Sequence, residues 1–162
     1  MSQAVPAPDV HARLGFFRNI PVFGGLPDAE LVRVCGFADW RLYAAGEILV
    51  REGELAHEMF VVLDGMVDIF KGDAGRLLCE LGPGQCIGEM ALIDIQARSA
   101  TAVAAVPTTV MAMGFDDFIR LHQTNLESYT LVVLNIAREI SRRLRETNER
   151  LADLGGDESL CP

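Results

Sequence analysis

Apolar and polar positions change rhythm three times along the chain. After Asp9, which can cap a helix start, Val10, Leu14 and Phe17 fall on one side of a helical turn pattern, and Pro27-Asp28-Ala29-Glu30 opens a second stretch with Leu31, Val34 and Cys35 inward. These residues, 9–36, read as short helices. From residue 37 to 114 the pattern shortens. Eight of the 15 glycines lie between Gly46 and Gly88 and divide apolar runs at Glu47–Val50, Met59–Leu63, Met66–Phe70 and Leu77–Leu81. Gly72-Asp73-Ala74-Gly75 reads as a turn, and Thr101–Val106 and Thr108–Met113 add two strands around Pro107, which cannot donate to a central ladder. Short strands at this spacing predict an antiparallel sandwich or barrel.

Beyond residue 115 the period returns to that of a helix, first over Phe115–His122 and then in one long helix to about Leu154. Thr124-Asn125-Leu126-Glu127 has the Thr-x-x-Glu spacing of a capping box. Val133, Ala137, Ile140, Leu144, Thr147, Leu151 and Leu154 follow at alternating steps of four and three, the seam by which two helices pack. Such a seam serves either a second copy of the chain or the protein's own sheet. Arginines 138, 142, 143, 145 and 150 are interleaved with Glu139, Glu146 and Glu149, which reads as a solvated, ion-paired face. Residues 1–8 read as a flexible leader and 155–162 as a flexible tail, leaving 9–154 as the domain, with its helix from about 124 to 154.

Composition narrows the function. With 162 residues the chain is long enough for one self-supporting core. Fourteen basic against 23 acidic residues give a formal charge of −9, which disfavours broad binding to nucleic acid or to an anionic membrane. The first residues lack the basic and apolar regions of a secretory signal, and no apolar run reaches membrane-spanning length. Cys35, Cys79, Cys86 and Cys161 form no C-x-x-C pair and suit the reduced thiols of a cytoplasmic protein. His11, His57 and His122 are far apart, so a jelly-roll metal enzyme has no visible ligand cluster, and no metal is expected.

The chemistry concentrates in Ile87-Gly88-Glu89-Met90-Ala91-Leu92 and, after a five-residue loop, Arg98-Ser99-Ala100-Thr101. Gly88 permits close backbone approach, and the turn opened by Glu89 offers unpaired N–H groups as in the first turn of a helix. Arg98 carries a planar fork suited to phosphate oxygens and Ser99 a hydroxyl. Together these groups can hold a sugar hydroxyl and a phosphate. A surface pair between Glu89 and Arg98 accounts for both side chains equally well.

This segment resembles the phosphate-binding cassette of the cyclic nucleotide-binding domains. Ala45-Gly46-Glu47-Ile48-Leu49, Glu52-Gly53-Glu54 and Phe60 to Phe70 match the same family upstream, so the resemblance covers about residues 15–154. Ile87 stands where the family often has phenylalanine. The resemblance implies a mainly β, α+β fold: an eight-stranded antiparallel jelly-roll β-roll flanked by N-terminal helices and a long C-terminal helix. It assigns Glu89 to the ribose 2′-hydroxyl and Arg98 to the cyclic phosphate, with Ile87, Gly88, Met90, Ala91, Ser99 and Ala100 lining the ligand. The long helix resembles the dimerisation helix of the bacterial catabolite activator branch, which implies a homodimer with Thr147 and Asn148 reaching the purine from the partner chain.

The implied protein is a non-enzymatic receptor for cAMP or cGMP, with cAMP favoured, that passes ligand binding through the C-terminal helix to an unknown downstream protein. In the activator branch a DNA-reading domain follows this helix. Here eight residues follow Leu154, so no DNA contact is expected by that route. A non-binding interaction module and a fragment of a larger regulator are the alternatives.

Overall fold

A computed structural model describes residues 2–55, 57–93 and 96–154. Among the described residues nine strands form two antiparallel sheets. In chain order they are β1 (Gln3–Ala4), β2 (Asp39–Tyr43), β3 (Ile48–Val50), β4 (Glu58–Asp64), β5 (Val67–Lys71), β6 (Arg76–Leu81), β7 (Cys86–Ile87), β8 (Thr101–Ala104) and β9 (Thr108–Gly114). One sheet has the order β1-β2-β9-β4-β7 and the other β3-β8-β5-β6. The described residues also form four α-helices: α1 (Leu14–Arg18), α2 (Asp28–Phe37), α3 (Phe115–Thr124) and α4 (Leu126–Leu154).

The continuous apolar run Met59–Leu63 is explained by burial on both faces of β4. Phe60 and Val62 point between the sheets, where they meet Val67, Ile87, Ala102 and Val110. Met59, Val61 and Leu63 point to the other side, where Phe17, Leu31, Phe118, Val132 and Ile136 of the helices cover them. The helices therefore clothe the outer face of the five-stranded sheet and leave the other sheet free to wall a cavity.

The jelly-roll expectation holds with one strand more than the eight expected. The extra strand lies in the leader, where Gln3 and Ala4 pair with Leu42 and Arg41 and Val5 N–H donates to Trp40 O at 2.9 Å. The open edge of β2 offers unpaired backbone groups, which is why a leader without apolar periodicity still adds there. Asp9 does not cap α1: its Oδ1 accepts from Ala12 N–H at 3.2 Å in the turn before the helix, whose N-cap position, Arg13, makes no side-chain cap bond.

The start of α4 differs from the expected capping box. Thr124 ends α3 and turns its hydroxyl back to Arg120 O at 2.8 Å, while Asn125 Oδ1 accepts from Ser128 N–H at 3.0 Å. Asn125 is thus the capping residue. The apolar seam of α4 is also not the face it buries within the chain. Val132, Asn135 and Ile136 are buried, and Asn135 Nδ2 donates to Gly24 O at 2.8 Å, fixing the helix to the turn Pro21–Phe23. Of the seam, Val133 and Ile140 are half-buried, Ala137 and Thr147 are exposed, and Leu144 and Leu151 remain 60% and 48% exposed.

Candidate ligand site

A cavity of about 400 Å³ opens between the four-stranded sheet, the segment after β7 and the second half of α4. Its size is that of a small-molecule site. Ile87, Gly88, Glu89, Met90, Arg98, Ser99 and Ala100 all line it, as does Thr147 from the same chain. Ala91 lies in the same turn as Glu89 and Met90. Asn148 is exposed and is not among the residues lining the cavity. The loop residues Asp94 and Ile95, and the whole of the tail 155–162, fall outside the described residues.

Gly88 begins the site. Its φ of +74° is left-handed, and a Cβ there would stand 1.9 Å from Arg98 Nη1. Only glycine combines that backbone with that approach. The turn that follows, Glu89–Leu92, is a 3-10 turn of four residues and not the start of an α-helix, so it supplies no appreciable helix dipole. The charge in the cavity comes from side chains.

Arg98 is 9% exposed, lies over the Phe60 ring and donates from Nη2 to Glu58 O at 2.7 Å. Among the described residues its Nη1 is buried without a partner. Glu58, whose charge acts on Arg98, is held elsewhere: Arg41 grips that carboxylate through two bonds of 2.8 Å. Burial pulls the Arg98 guanidinium below its ordinary pKa, partly opposed by the charges of Glu58, Glu54 and Glu89. An arginine so placed carries an uncompensated cation in a poorly solvated site, a disposition that favours an anionic ligand. Its backbone is fixed by a reciprocal pair to the turn after β3, with Arg98 N–H on Glu54 O at 2.8 Å and Gly53 N–H on Arg98 O at 2.9 Å.

Glu89 is 3% exposed and does not pair with Arg98. Its Oε1 accepts from Arg143 Nη1 at 2.9 Å, and its Oε2 is buried without a partner among the described residues. The surface-pair explanation of Glu89 and Arg98 is thereby excluded. Arg143 also donates from Nη2 to Cys86 O at 2.8 Å and from Nε to Glu139 Oε1 at 3.1 Å. Glu139 in turn accepts from Arg142, which continues to Glu146. Of the α4 arginines, Arg142 and Arg143 are ion-paired to Glu139 and Glu146 while Arg138 and Arg145 bond Asn135 and Ser141, and Arg143 is turned into the cavity. Sequence reasoning missed that role, because Glu139 one turn away already satisfied the pattern.

Among the described residues the site therefore has one guanidinium nitrogen and one carboxylate oxygen without a partner, both buried on residues that line a single concavity. That is a donor for an anion beside an acceptor for a hydroxyl. Among the described residues no group of three or more His, Cys, Asp or Glu side chains could hold a metal ion.

The family model of the cyclic nucleotide-binding domain matches residues 40–125, more than half of the chain. The chain belongs to the cyclic nucleotide-binding domain family. It is 34% identical over 145 residues to the cyclic AMP receptor protein of Thermus thermophilus, covering 88% of this chain and 65% of that protein. The crystal structure of the Thermus thermophilus catabolite activator protein superposes with a TM-score of 0.73 at 35% identity, over 83% of this chain and 62% of that one. A cyclic nucleotide-binding domain from Methylobacillus flagellatus shares the fold, with a TM-score of 0.86 at 22% identity over 98% of this chain and 92% of that one. The chain thus spans just under two thirds of the length of the Thermus protein.

Proposed function

We propose that the protein is a receptor for a cyclic purine mononucleotide, cAMP in preference to cGMP, and not an enzyme. The observation that carries this reading is that Arg98 and Glu89 line one cavity, each with a buried atom, Nη1 and Oε2, that has no partner among the described residues. A cyclic phosphate supplies the anion that Arg98 lacks, and the ribose 2′-hydroxyl can donate to Glu89. The preference for cAMP rests on the likeness to the Thermus cyclic AMP receptor protein and on Thr147 at the helix side of the cavity. Melting with each nucleotide tests the reading. At about 100 times Kd the ligand adds ~2.7 kcal/mol of stability. A melting point unmoved by millimolar cAMP and by millimolar cGMP rejects it.

Coupling to α4 follows from Arg143. The helix already reaches the cavity through Arg143 on Glu89 and Cys86 O. A nucleotide seated between that helix and the cassette touches both, so it binds more tightly when α4 is docked and shifts the population toward that state. An unidentified downstream protein would read the helix. A cytoplasmic location fits the free thiols of Cys35, Cys79 and Cys86.

The exposed seam of α4 supports a homodimer. Leu144 and Leu151, seven residues apart in that seam, are each about half exposed or more, on a helix that buries Val132, Asn135 and Ile136 in its own chain. A second copy of the helix covers this row at heptad spacing. Leu144→Glu is expected to give a monomer by light scattering, since association would bury an unpaired carboxylate. A dimer that persists in this variant locates the interface elsewhere.

A further inference from the structure

Lys71, at the end of β5, lies outside the cassette, yet it reaches into it. Its ammonium donates to Ser99 O at 2.6 Å and to Glu52 Oε1 at 2.6 Å. Glu52 is fixed in turn: its Oε2 accepts from Gly72 N–H at 2.8 Å, and its own N–H donates to Thr101 Oγ1 at 3.0 Å. Four bonds therefore tie the turn after β3, the end of the β5 strand and the Ser99–Thr101 stretch into one knot. The knot sits immediately beside Arg98.

The effect on the cavity follows from peptide geometry. The bond between Ser99 and Ala100 is trans, so its C=O and N–H point in opposite directions. With Ser99 O drawn outward onto Lys71, the Ala100 N–H is turned the other way. Ser99 and Ala100 both line the cavity, next to the guanidinium of Arg98. We propose that Lys71, held by Glu52, is a positioning residue for the phosphate end of the site: it orients the Ser99–Ala100 peptide so that the Ala100 N–H faces the anion that Arg98 neutralises. This rests on the nucleotide-receptor reading and extends it to residues that never touch the ligand.

The alternative is a surface ion pair that serves only the fold. Lys71 is half exposed and Glu52 one third exposed, and pairs so solvated add little to stability. The two roles therefore separate cleanly. Lys71→Met and Lys71→Arg are titrated with cAMP and with cGMP by calorimetry, and each is melted without ligand. Loss of an oriented donor to an oxyanion is expected to weaken both nucleotides by a similar factor, roughly 5- to 30-fold, with the ligand-free melting point near that of the unaltered protein. Lys71→Arg keeps a charged donor and is expected to recover most of the loss. In the amide spectrum of the ligand-free protein the Ala100 resonance moves in Lys71→Met and returns toward its place in Lys71→Arg.

Unchanged affinity in Lys71→Met overturns the proposal and leaves the receptor reading standing. A loss confined to one nucleotide also overturns it, because the phosphate is common to both. If the unaltered protein binds neither nucleotide, the receptor reading fails and the positioning role falls with it.

Discussion

Arg98→Leu is expected to weaken cyclic nucleotide binding roughly 30-fold to a few thousand-fold, since removing one partner of a buried charge pair costs ~2–5 kcal/mol. Its ligand-free stability is expected to stay level or rise. Both effects have one cause. In the ligand-free protein Arg98 is 9% exposed, one of its guanidinium nitrogens has no partner among the described residues, and the Glu58 carboxylate is committed to Arg41. A cation kept in that state opposes folding until an anion arrives, and a leucine removes the unmet charge while keeping contact with Phe60. A structural arginine behaves the opposite way, losing stability on substitution and leaving affinity unchanged. Titration with cAMP and a melt without ligand decide between them, and an Arg98→Leu variant that binds like the unaltered protein sinks the site assignment.

The cassette was legible because its chemistry is local. Gly88, Glu89 and Arg98 lie within eleven consecutive residues, and each residue type permits few roles. The strands from Ile48 to Leu81 were legible too, since glycine turns mark their ends. What escaped depends on contacts between distant segments. Arg143 meets Glu89 across 54 positions, and Lys71 meets Ser99 across 28, whereas charge spacing along one helix or strand sees only near neighbours. The strand β2 escaped for another reason. Only Trp40 and Tyr43 are fully buried in it, three positions apart, so no strict alternation announces a strand. The seam on α4 was legible as a pattern, but the buried face of the same helix uses Val132, Asn135 and Ile136, with a polar side chain at its centre. A polar residue that bonds Gly24 O has no signature in an apolar period.

Gly88→Ala should be the most disruptive single-methyl change in the cassette. Two costs combine. At a φ of +74° an L-residue carries strain of about 1–2 kcal/mol, and the added carbon would stand 1.9 Å from Arg98 Nη1 and 3.1 Å from its Cζ. The backbone at residue 88 is held between β7 and the 3-10 turn, so the guanidinium must move instead, giving up its bond to Glu58 O. A displacement of about 1 Å in a group that positions a ligand can cost on the order of 100-fold. The expected result is therefore a lower melting point together with an affinity loss approaching that of Arg98→Leu. The double variant separates strain from collision. With leucine at residue 98 the clash disappears and only the backbone strain remains, so Gly88→Ala should destabilise that background less than the unaltered one. Equal destabilisation in both backgrounds would show that Gly88 serves the turn alone and that its closeness to Arg98 has no energetic consequence.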